Sequence, residues 1–268
     1  MRPPGVLSLA LPIALLIGVS ASADAEMQPS SPTKSSAIAV ASTRVLQGVV
    51  TSGGTGKALP LAGATVRVYA AGASGATVIG QATTNASGVF SISVPKGTAS
   101  HYIVARKGSH RTLVNFLGTA TPSRITVNEM TTVAAAYATA QLARGLTISG
   151  TALQLKSAAG MAANLVSPVS GSPSRRITSS PNGNETNTWR SLGSLANLLA
   201  GCVRASASAE TCTSLFALTG RTTSTWSAIQ AISASPASNL KKLYALSNRS
   251  HVFTPYLTEK FGPNATSK

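Results

Sequence analysis

The spacing of apolar residues changes once along this chain, near residue 128, and that change limits its architecture more than any other feature. From 44 to 127 the period is two. Val45, Gln47 and Val49 alternate with Leu46, Gly48 and Val50; Thr65, Arg67 and Tyr69 alternate with Val66 and Val68; Val89, Ser91 and Ser93 alternate with Phe90, Ile92 and Val94. Such alternation marks half-buried strands. Turn-forming clusters at 52–54, 72–75, 85–88 and 95–97 separate the runs. Further strands are expected at 102–107, 112–117 and 124–127. About seven short strands with no helical period predict a small antiparallel β-sandwich.

From 128 to 262 the period is 3.6. Leu155, Ala158, Ala159, Ala162, Leu165 and Val166 fall on one helical face, as do Leu192, Leu195, Ala196, Leu199, Cys202 and Val203. An Ala-rich helix is expected over 128–144, with Gly145 as its stop. Shorter helices are expected at 210–219, 224–234 and 237–247, and the Ser/Pro/Gly/Asn-rich stretch 167–187 reads as an exposed loop. The fold class is therefore β + α in two domains, the sandwich (44–127) followed by a helical bundle (128–262) and a short tail (263–268).

The N-terminus has the three-part layout of a secretory signal. Arg2 precedes an apolar run from Leu7 to Val19, and small residues at Ala21, Ala23 and Ala25 suit cleavage. The run falls short of the ~20 apolar residues that a transmembrane helix needs. Residues 1–25 are expected to leave, and 26–43, rich in Ser and Pro, to act as a flexible tether. The mature chain is then expected in a periplasm, at a cell surface or in the medium, with no transmembrane segment. In that setting Cys202 and Cys212, the only cysteines, read as a disulfide stapling one helix to the next.

The acids exclude several chemistries. Six are present: Asp24, Glu26, Glu129, Glu185, Glu210 and Glu259. Without Asp24, no aspartate remains for a Ser-His-Asp triad, and clustered-carboxylate calcium sites lack material. No G-x-S-x-G elbow occurs. His101 and His110 lie among Arg106, Lys107 and Arg111, whose charge repels a cation, so no metal or cofactor is expected. Gly53–Lys57 lacks the helix start that a phosphate loop requires. A glutamate-dependent hydrolase built on Glu185, Trp189 and Arg190 is the catalytic alternative.

Charge points instead to a partner. With 22 Lys and Arg, the net charge is +16. The basic clusters Arg106, Lys107 and Arg111, Arg175 and Arg176, and Lys241 and Lys242 form the expected patch for an anionic ligand. Aromatics are 4% of the chain, too sparse for a base-stacking platform, so no specific nucleic-acid module is expected.

Three stretches also carry a family resemblance. Gly48-Val49-Val50, then Pro60-Leu61-Ala62-Gly63-Ala64-Thr65-Val66-Arg67-Val68, then Thr84-Asn85-Ala86-Ser87-Gly88-Val89-Phe90-Ser91-Ile92-Ser93-Val94-Pro95 resemble the carboxypeptidase regulatory-like domain of bacterial exported proteins. The resemblance implies a transthyretin-like, immunoglobulin-like sandwich without catalytic residues, accompanying another module. Glu129–Tyr137, Leu195–Val203 and Cys212–Phe216 are similar to a helical segment that precedes NHL-type propellers in secreted bacterial proteins. No propeller follows here, so the protein is expected to work without one or to be a truncated relative. The second case predicts an exposed apolar face at Phe253, Tyr256, Leu257 and Phe261. The leading expectation is a non-catalytic binding or structural accessory protein of the cell envelope, contacting an anionic polysaccharide or a protein partner.

Overall fold

Strand β1 (Thr43–Ser52) follows the alternation that predicts it, with Leu46 and Val50 buried. The computed structural model describes residues 42–258 except 55, 57 and 221, and omits the side chains of 184 and 185. The expected signal segment, the tether up to residue 41, Phe261 and the tail lie outside the described residues.

Seven further strands accompany β1: β2 (Leu59–Pro60), β3 (Thr65–Ala71), β4 (Ala76–Thr83), β5 (Val89–Pro95), β6 (Ser100–Lys107), β7 (Arg111–Gly118) and β8 (Arg124–Val127). They form two four-stranded sheets. One is ordered β2-β1-β5, with β8 also on β1; the other is β4-β3-β6-β7. Inward residues of both sheets, including Leu46, Val66, Val68, Phe90, Ile92, Ile103, Leu113 and Ile125, share one apolar core. The pairings within both sheets are antiparallel as expected, except that strand β8 runs parallel to β1. Gly88 shows why the turn before β5 requires glycine. Its φ is +73°, and a Cβ would lie 2.5 Å from the Val50 carbonyl oxygen.

The helices are α1 (Glu129–Ala138), α2 (Ala152–Leu165), α3 (Arg175–Thr178), α4 (Asn182–Glu185), α5 (Thr188–Val203), α6 (Glu210–Leu218), α7 (Thr225–Ala234) and α8 (Leu240–Ser247). Two expectations change. Helix α1 stops at Ala138, and Gly145 turns a small ribbon between β9 (Ala143–Arg144) and β10 (Thr147–Ile148). The Thr139 hydroxyl donates to the Ala135 carbonyl at the helix end, helping to explain why the Ala-rich pattern stops short of its limit. The stretch 167–187 is not simply an exposed loop. It carries α3 and α4 and buries Ile177.

The described residues lie in a single compact unit, and the packing does not pause at residue 128. Outward residues Tyr102, Val104, Val114 and Phe116 of the second sheet join a core with residues of α1, α2, α5 and α7. Strand β7 is an edge strand, a position that leaves backbone groups to be satisfied elsewhere. Threonines fill that role. Thr225 of α7 accepts from Thr112 N at 3.0 Å and donates to Thr112 O at 2.6 Å. Thr132 and Thr131 of α1 bond Val114 N and O. Thus the helices supply the hydrogen bonds that a further strand would provide.

The segment after α8 is clasped by α5. Asn197 donates to the Phe253 carbonyl and accepts from the backbone N–H groups of Val252 and Phe253, while Ser194 accepts from Leu257 N. Phe253 is buried in the helical core, contrary to the exposed face that a truncated relative would leave there. Asn197→Ala leaves three backbone groups without these partners. Thermal unfolding is expected to show a loss of about 2–3 kcal/mol, and limited proteolysis should cut first within 250–258.

Candidate functional site

The outward face of β3 and β6 divides into two parts. Tyr69, Tyr102 and Val104 pack at the helical end. At the other end, Gly63, Thr65, Arg67, Tyr69, Val104, Arg106 and Gly108 line a polar cavity of about 250 Å³. Thr65 pairs with Arg106, and Arg67 with Val104. The two arginines are therefore diagonal neighbours on one face, with backbones about 7–8 Å apart. Both are exposed.

Local geometry orients this corner. Arg67 Nε donates to Gln81 Oε1 on β4 at 2.7 Å, an interaction that leaves its terminal amino groups available to an acceptor. Tyr69 stacks on the buried Tyr102 ring at 4.8 Å with planes 6° apart, and Tyr102 donates to the Leu146 carbonyl. Tyr69 is thus braced from the core side while remaining part of the cavity wall. The carboxylates of Glu129 and Glu210 lie elsewhere: Glu129 is fully buried, and Glu210 bonds Arg249 at 2.5 Å. Two arginines at diagonal positions, with no carboxylate among the described lining residues, form an acceptor-seeking arrangement.

The basic residues expected from sequence are redistributed. Arg106 belongs to this corner. Lys107 pairs with Arg111 in the β6–β7 register, but Arg111 donates to the Ala205 carbonyl at 2.8 Å and is engaged with the loop after α5. Arg175 and Arg176 lie on α3, while Lys241 and Lys242 lie on α8. Arg67, Thr65 and Tyr69 complete the corner. Their alternation is visible in sequence, but the strand register that brings Arg106 beside them is not.

The other candidates have different surroundings. Cys202 and Cys212 form the expected disulfide. His110 approaches it, with possible ligand atoms of the three residues within 4.8 Å; the disulfide leaves no pair of thiolates for metal binding. Cys202→Ser with Cys212→Ser is expected to lower stability by about 2–3 kcal/mol from loss of loop closure, measured by denaturant unfolding beside the oxidised protein. His101 is buried against the Thr121 hydroxyl; burial and then Arg44 push its pKa below the ordinary imidazole value. Trp189 and Arg190 begin α5, whereas Glu185 ends α4, and Trp189 packs against the helical core.

Glu129 is the buried acid joining sheet and helices. It receives hydrogen bonds from Ser52 Oγ at 2.5 Å and Gly53 N at 2.9 Å, while Arg204 donates to the hydroxyl and carbonyl oxygens of Ser52. Burial raises its pKa above the ordinary carboxylate value. The Gly53, Ser52 and local backbone bonds, followed by Arg204, offset that rise only in part. This cluster fastens β1 to α1 and α5. Among the described residues, no helix is long and apolar enough to cross a membrane. No family model matches the chain, and no curated protein matches it.

Proposed function

We propose that this is an exported, non-catalytic accessory protein of the cell envelope whose folded part binds an anionic polysaccharide. The supporting observation is the exposed Arg67–Arg106 corner, which has no carboxylate among its described lining residues, on a chain of net charge +16. The signal-like start supports export. In this reading the two sheets form the Ig-like, carboxypeptidase regulatory-like module, and the helices support it.

A salt-series co-sedimentation assay tests the proposal. The mature chain, residues 26–268, is mixed with isolated cell wall, an acidic polysaccharide and DNA. Selective retention on cell wall or polysaccharide at about 0.3 M salt is the expected result, since surface-charge attraction alone is strongly screened there. Equal retention on every polyanion that vanishes with salt would reduce the interaction to net charge. A hydrolytic activity removed by substituting one Glu, His or Ser would overturn the non-catalytic assignment.

A further inference from the structure

We infer that the β3–β6 corner recognises a carboxylated sugar, a uronate unit within the acidic polysaccharide; this inference rests on the proposed polysaccharide binding and identifies its ligand chemistry.

The cavity combines three kinds of group. Arg67 and Arg106 provide planar donor forks, whose geometry matches a carboxylate in two parallel hydrogen bonds. Thr65 provides a hydroxyl able to donate to or accept from a sugar hydroxyl. Tyr69 provides an apolar wall braced by Tyr102, suited to the C–H face of a pyranose. The cavity, at about 250 Å³, is a compact pocket on a sheet face. A nucleic-acid strand instead calls for a succession of stacking platforms along a basic groove. Here one aromatic ring lines the same cavity as two arginines, and one face of that ring already meets Tyr102.

Strand register makes the arrangement specific. The diagonal relation between Arg67 and Arg106 allows both forks to converge on one bound group, while the Gln81 bond limits Arg67 movement. Without a ligand the two like charges repel. A bound carboxylate offsets that repulsion, so the corner gains stability when occupied.

Calorimetric titration of the mature chain with a defined oligogalacturonate at about 0.15 M salt tests the inference, alongside dextran sulfate, neutral dextran and single-stranded DNA. Arg67→Ala with Arg106→Ala is expected to weaken oligogalacturonate binding by about tenfold or more. Lys241→Ala with Lys242→Ala removes the same formal charge from α8 and is expected to change binding less than about twofold. Arg67→Lys retains the charge but loses the fork, and should produce an intermediate loss. If the arginine pair disturbs thermal unfolding, Arg67→Gln with Arg106→Gln replaces it. Equal losses in the arginine and lysine variants would overturn this site while leaving general polyanion binding in place. Equal binding of dextran sulfate or DNA would overturn the uronate assignment. Absence of binding to all four probes, together with failure to retain cell wall, would remove the broader polysaccharide reading as well.

Discussion

Residues 42–127 produced without the helices are expected to aggregate or remain unfolded, whereas residues 42–258 give a monomer with cooperative unfolding. Tyr102, Val104, Val114 and Phe116 are at most 2% exposed in the intact protein, and the helical core covers them. Each such side chain contributes about 1.5–3 kcal/mol on burial, or roughly 6–12 kcal/mol for the group. That approaches the full stability of an ordinary domain, about 5–15 kcal/mol. The truncation also removes Thr131, Thr132 and Thr225 from the β7 edge, exposing Thr112 and Val114 backbone groups to another strand. Size-exclusion chromatography, circular dichroism and dye binding provide the measurement. A monomeric fragment with a β-sheet spectrum and a cooperative transition would contradict the dependence and support a self-sufficient sandwich.

The same interface shows how far sequence periodicity reaches. Period two located β1, β3 and β5, while period 3.6 located α2 and α5, because each pattern follows one element's exposed and buried faces. It did not show that Tyr102 and Val104 face helices whereas Ile103 faces the other sheet. A strand buried on both sides reads as a continuous apolar run, with no polar face to report which layer covers it. The β7 threonines were equally silent. Thr131, Thr132 and Thr225 resemble helix-start residues, and their pairing with an edge strand depends on contacts distant in sequence. Strand β4 was also obscured: Gly80 interrupts the pattern, and none of its residues is buried, so no continuous buried face forms.

The candidate site was legible only in part. Clustering in sequence identified Arg106, Lys107 and Arg111, but Lys107 and Arg111 have neighbours different from those of Arg106. Arg111 turns to the Ala205 carbonyl, while cross-strand register joins Arg106 to Arg67. Charge runs identify residues close along the chain; a sheet builds a binding corner from residues close across strands. The cysteine pair was more accessible to sequence reasoning because its short separation and expected oxidising setting supplied both geometry and chemistry.

Glu129→Ala is expected to lower stability by about 2–4 kcal/mol, through a cavity and the loss of a buried acceptor for Ser52 and Gly53. Glu129→Gln should cost less, because its amide retains the shape and one acceptor oxygen. Their pH dependence provides a sharper test. Burial raises the folded-state pKa of Glu129, so the native protein binds more protons than the unfolded chain between the ordinary glutamate value and the raised value. That contribution is fully present below the unfolded pKa and declines as pH rises through the folded pKa. The stability penalty of Glu129→Ala should therefore be larger near pH 4 than near pH 8. His101 has a lowered pKa and acts in the opposite direction, but it is present in both proteins and largely cancels in their difference. Denaturant unfolding of the original protein and both variants at each pH measures the effect. A penalty that grows toward alkaline pH would show that the Ser52, Gly53 and Arg204 interactions favour the charged carboxylate more strongly than burial opposes it, reversing the electrostatic balance assigned to the sheet–helix junction.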